Sequence, residues 1–87
     1  MPEISRFYGI IIYLISKDHN PPHIHADYSG EEGIFEIVSG EMVQGKLPVK
    51  VIKMVKKWID IHQDELMADW ENAKNGGKIF KITPLKK

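Results

Sequence analysis

The chain has no cysteine, so no disulfide staples it, and that composition fits a reducing compartment. It has no long apolar run either. The stretch from Gly9 to Ile15 is far too short to span a bilayer. The flank before it carries Glu3 and lacks the basic region and small-residue cleavage site of a signal peptide. The expectation is a soluble cytoplasmic protein with no membrane contact. There is no excess of charge: twelve basic residues balance twelve acidic ones, so the chain does not advertise nucleic-acid binding by net charge. Internal repeats, low-complexity segments and linkers are missing too. At 87 residues the chain makes one domain, 1–87, with a modest core.

What the chain does have is unevenness. Residues 1–43 hold Arg6 and Lys17 against seven acids, a net of −5, while residues 44–87 hold ten lysines against five acids, a net of +5. The plain expectation is that the two halves face each other and offset. Histidine is uneven as well. Three of four histidines, His19, His23 and His25, fall within seven positions in "DHNPPHIHADY", with two prolines between the first and the others.

The first half reads as β. "RFYGIIIYLIS" is apolar at odd and even positions alike, which suits a central strand covered on both faces. "HNPP" breaks it, because proline donates no ladder hydrogen bond and pushes Asn20 to an extended conformation. "HIHADY" alternates cleanly, placing Ile24, Ala26 and Tyr28 on one face and His23, His25 and Asp27 on the other. "SGEEG" is a turn, "IFEIV" a third strand, Ser39–Gly40 a hairpin turn and "EMVQGKL" its return strand.

The second half reads as helical. Pro48 suits a first helical turn, and Ile52, Val55, Ile59, His62, Leu66, Trp70 and Ala73 recur at helical spacing as far as "NGG", where Asn75 or Gly76 can take the left-handed cap. Lysines come early and acids late, which opposes one helix dipole but suits a second helix that starts with acids. Asp60 followed by Gln63 matches a capping box, so a break is expected at 60–63. "KIFKITP" could add a short C-terminal edge strand, able to pair with its symmetry mate in a homodimer. The fold class is therefore α+β: a four-strand antiparallel meander with room for a fifth C-terminal strand, packed by one long kinked helix or two consecutive helices. Trp58 and Trp70 would anchor the core.

On a strand, His23 and His25 point the same way about 6.5–7 Å apart, close enough to converge on one zinc-like divalent metal. A catalytic zinc takes a third protein ligand. Asp27 is a poor one, since about 13 Å of strand separates it from His23. His19 is better if the "NPP" loop folds back; His62 is a further candidate, and Asp18 could orient a histidine through its ring N–H. Without metal, two histidines across a phosphodiester can act as general acid and base in RNA cleavage, with Lys17, Lys46 or Arg6 stabilising charge on phosphate. The same histidines can also be structural, capping a turn and packing on a half-solvated sheet face, or, with Tyr28 nearby, can seat a partner protein. Lys50, Lys53 and Lys57 share a helical stripe that, with Lys46, could track a phosphate backbone, or could simply be solvated.

"ISRFYGI", "DHNPPHIHADY", "GKLP" and the tryptophans of "KKWIDIHQDELMADWENA" together resemble a family of short bacterial proteins catalogued as domain of unknown function 4160. The resemblance runs from Ile4 to "KITPL". Its signature falls on Arg6, Phe7, Gly9, Asp18, His19, Asn20, Pro21, Pro22, His23, His25, Gly45, Lys46, Leu47, Pro48, Trp58 and Trp70. It implies a small soluble protein often encoded beside a second short protein, in the manner of two-gene toxin–antitoxin-like modules, and it carries no catalytic assignment. The combined expectation is one half of such a toxin–antitoxin-like or regulatory pair, acting on or binding RNA or DNA through His19, His23 and His25. The rivals are a non-enzymatic interaction module for the neighbouring gene's product and a metal-binding protein using His23 and His25.

Overall fold

The computed structural model describes residues 3–15 and 20–86. Five antiparallel strands form one sheet in chain order: β1 (Glu3–Phe7), β2 (Ile10–Tyr13), β3 (His23–Tyr28), β4 (Glu31–Glu36) and β5 (Met42–Gly45). Two consecutive helices follow, α1 (Val49–Ile61) and α2 (Gln63–Lys74). The α+β class, the meander and the helix break near residue 62 are as the sequence implies.

Three strand assignments change, the smallest being that β4 takes in Glu31, Glu32 and Gly33 of the expected "SGEEG" turn, because they pair with Tyr28, Asp27 and Ala26, and it ends at Glu36. The long apolar run is not one central strand. It folds back on itself at Tyr8–Gly9, where Phe7 pairs with Ile10 and both turn residues have positive φ, 49° and 78°. That two-residue geometry matches strand twist and closes a tight hairpin. Ser29–Gly30, at 51° and 85°, closes the β3–β4 hairpin in the same way. The fifth strand therefore comes from the N-terminus, and β1 is an edge. The C-terminal segment forms no strand among the described residues. It lies along the domain held by scattered bonds: Ile82 N–H to Ile4 O at 2.7 Å, Phe80 N–H to an Asp69 carboxylate oxygen at 2.9 Å, and the Trp58 indole N–H to Thr83 O at 2.9 Å. The expected pairing of "KIFKI" across a dimer loses its strand.

The hydrophobic alternation of the strands builds the core. Ile10, Ile12, Ile24, Ala26 and Phe35 point from one sheet face and are buried with Val51, Val55, Trp58, Ile59, Leu66 and Trp70 of the helices. Burial of this apolar surface is the main stabilising term of the domain. The Trp58 ring meets Phe7 at 5.6 Å. At the helix junction, α1 runs on through Asp60 to Ile61, so Asp60 does not cap α2. His62 stands between the helices instead, Glu65 accepts from its Nδ1–H at 2.6 Å, and Gln63 donates to the Ile37 carbonyl. Acids in the first turn of α2, Asp64 and Glu65, suit its dipole. Gly76, at φ 75°, ends α2, while Asn75 stays at −92°.

Candidate functional site

The register fixes what each sheet face carries. Tyr13 lies opposite His25, Ile11 opposite Asp27 and His23 opposite Glu36, so all of these, with Glu32 and Ile34, belong to the face away from the core. There the side chains form a ladder of rings. Trp70 of α2 meets His23 at 5.2 Å, His23 meets His25 at 5.3 Å, and His25 stacks on Tyr13 at 5.4 Å with only 8° between planes. The Tyr13 hydroxyl donates to Glu32, whose same oxygen lies 3.4 Å from His25 Nδ1. His23 Nδ1–H donates to the Pro21 carbonyl at 2.7 Å, which fixes the proton on that nitrogen. Burial, then the Glu32 carboxylate, pushes the Tyr13 phenol up to about 12.

This cluster joins β2, β3 and α2. His23 and His25 do face the same way, as alternation requires, but His25 is only 8 % exposed, sandwiched between Tyr13 and His23. His19, Asp18 and Lys17 lie outside the described residues. His62 is engaged elsewhere, with Glu65 and, at 5.5 Å and tilted by 50°, the ring of Trp58. Among the described residues no three histidine or carboxylate side chains gather as a metal ion would need. Arg6 is tied to Glu3 at 2.8 and 3.1 Å, an exposed pair that holds the Glu3 carboxyl below its ordinary value.

The lysines occupy the other side of the molecule. Lys50, Lys53, Lys56 and Lys57 are exposed on α1, whose other face packs on the core, while Asp27, Glu32 and Glu36 stand on the open face of the sheet. Asp27, Glu32 and Glu36 of the acidic half therefore stand away from the lysine ridge rather than offsetting it, although Glu31 shares the side of Tyr28 by register and Lys56 reaches Glu41 at 2.8 Å. Lys46, just past β5, gives its backbone N–H to Glu32 O. Among the described residues no carboxylate pairs with Lys50, Lys53 or Lys57.

Two grooves flank that lysine ridge. One, of about 430 Å³, is lined by Tyr8, Tyr28, Pro48, Lys50, Val51, Met54, Lys57, Leu85 and Lys86. The other, of about 320 Å³, is lined by Val38, Ser39, Gly40, Lys53, Lys56, Lys57, Ile59, Asp60 and Gln63. Neither is lined by His23 or His25. Tyr28 lies on this side of the sheet, so it cannot complete a partner surface with the histidines. Lysine periodicity made the ridge legible from sequence. Tyr8, Leu85 and Lys86 were not, because the first groove is assembled from a hairpin tip, a strand end, a helix and the C-terminal segment.

No helix of the described residues is long and apolar enough to cross a membrane. Comparison with curated proteins and with solved structures finds no match. The family model described as "Domain of unknown function (DUF4160)" matches residues 9–71, most of the chain, which takes in "NPPHIHADY", "GKLP" and both tryptophans; the chain belongs to this family.

Proposed function

We propose that this protein is a nucleic-acid-binding module that engages phosphates through the exposed face of α1, as one member of a two-gene regulatory or toxin–antitoxin-like pair in the bacterial cytoplasm. The observation that carries the reading is the ridge of Lys50, Lys53 and Lys57. These side chains repeat at three- and four-residue spacing along one helix and have no carboxylate partner among the described residues. Their position adds weight. Lys50, in the first turn of α1, works against the macrodipole at roughly 0.3–1 kcal/mol, and that local cost favours a binding role. The positive end of the helix adds to the field of Lys50, and Lys groups that neutralise phosphates gain affinity by releasing counterions. The acidic open sheet face, with Asp27, Glu32 and Glu36, would repel the same ligand.

A second reading keeps the histidines as the working groups. It rests on the 5.3 Å separation of the His23 and His25 rings, short enough for both to address one phosphodiester or one divalent ion. The two readings part on mutation. Fluorescence anisotropy with labelled oligonucleotides should show binding that survives His23→Ala and is lost on combining Lys50→Gln, Lys53→Gln and Lys57→Gln. The reverse pattern would transfer function to the histidine face.

A further inference from the structure

The groove beside α1 has a composition that the ridge alone does not explain. Its walls combine two tyrosines with the apolar surfaces of Val51, Met54 and Leu85, and among the described residues its charged lining consists of three lysines, Lys50, Lys57 and Lys86, with no carboxylate. Tyr8 stands at the tip of the β1–β2 hairpin, 48 % exposed, at φ 49°. A large aromatic ring held in the left-handed region and left in solvent is unfavourable on both counts, since strained backbone and exposed apolar area each cost free energy. Tyr28 forms the adjoining wall; its ring sits over Gly9, where an added Cβ would lie 3.6 Å from it. At about 430 Å³ the groove falls within the range of sites that take small planar ligands.

From these observations we infer that the groove binds one unstacked nucleobase of a single-stranded nucleic acid, with Tyr8 as its stacking platform and Lys50, Lys57 and Lys86 holding the flanking phosphates. The inference rests on the proposed role of the α1 lysines and narrows it to a substrate class. A base paired within a duplex has both faces stacked and cannot enter an apolar groove, whereas a base in a single strand presents a π-face to an aromatic side chain. Lysine ammonium groups at the rim supply point charges for phosphate without reading sequence. The predicted preference is for single strands, with modest dependence on base identity.

The test uses the full chain and measures affinity by fluorescence anisotropy for a single-stranded RNA, a single-stranded DNA and a duplex of equal length, with adenosine monophosphate as a competitor. The variants are Tyr8→Gly, which removes the ring and relieves its positive φ, Tyr8→Phe, which keeps the ring, and Lys50→Gln with Lys57→Gln. The expected pattern is tighter binding to single strands, a loss of roughly 5- to 150-fold on Tyr8→Gly, the usual range for deleting one stacking aromatic, and retention on Tyr8→Phe. The paired lysine variant should weaken every nucleic acid. Loss with the lysine variant but not with Tyr8→Gly would overturn the base seat and leave the lysine ridge standing. Adenosine monophosphate binding as tightly as the oligonucleotides would assign the groove to a free nucleotide and overturn the single-strand claim. No binding to any strand would remove the nucleic-acid reading altogether.

Discussion

Replacing Gly45 with alanine should be far more damaging than making the same change at Gly30, although both glycines have positive φ, 100° and 85°. At Gly30 a new Cβ meets nothing within 4 Å, so the cost is backbone strain alone, about 1–2 kcal/mol. At Gly45 the Cβ would lie 2.2 Å from Glu32 O and 2.7 Å from Gly33 Cα. These are backbone atoms of the paired strand β4, and no rotamer change can move them. Forcing β5 away adds an overpacking cost of about 1–3 kcal/mol, giving about 2–5 kcal/mol in total. A domain of this length holds only about 4–13 kcal/mol of stability, so Gly45→Ala removes a large part of it. Gly45 also opens the connection through Leu47 and Pro48 into α1, so displacing it misplaces the lysine ridge. Urea unfolding followed by circular dichroism measures both variants. Equal destabilisation by Gly30→Ala and Gly45→Ala would refute the steric argument.

Trp58→Phe should lose the indole bond to Thr83 O and leave unfilled volume in a fully buried site, together about 2 kcal/mol, lowering Tm by roughly 8–16 °C in a thermal scan. The same variant should loosen the C-terminal segment, so limited proteolysis ought to cut near Leu85 faster than in the parent. Tyr13 makes stability fall at alkaline pH. Its folded pKa is raised to about 12 from an ordinary value of 10, so its contribution is intact below pH 10 and is lost as pH rises through 12. Tyr13→Phe should remove that part of the decline between pH 10 and 12 in denaturant titrations, and an unchanged alkaline slope would argue against the Tyr13–Glu32 bond.

Much of this architecture was open to inspection in the residues themselves, and the failures have physical causes. "HIHADY" alternates so cleanly that its two faces could be read without error, because one side must enter an apolar core. The order of lysines and acids points to a break near residue 62, since charge and dipole conflict in one helix, but leaves open whether the chain kinks or starts a second helix. The Tyr8–Gly9 turn was hidden because tyrosine is an unusual turn residue and the flanking apolar run has no polar break. "KIFKI" has strand-like composition, but it makes isolated contacts with Ile4 and Asp69 instead of a ladder. Asp60 and Gln63 matched a cap pattern that local spacing allows and packing overrode, as α1 continues past Asp60 and Gln63 turns to Ile37. The alternation shows that His23 and His25 face the same way, yet cannot show how deeply His25 is packed, and His19 lies outside the described residues. The tyrosine-lined groove draws on segments far apart in sequence, and no local pattern announces it.

Phosphate binding by the α1 ridge has a graded signature in salt. Its most direct measurement is the salt dependence of oligonucleotide affinity for the wild-type chain and for the protein carrying Lys50→Gln, Lys53→Gln and Lys57→Gln. Each phosphate contact contributes about 0.7–0.9 to the slope of log K against log salt, so deleting three should flatten the plot by about 2–3. A wild-type affinity indifferent to salt, or a slope that the three substitutions leave unchanged, would contradict the account.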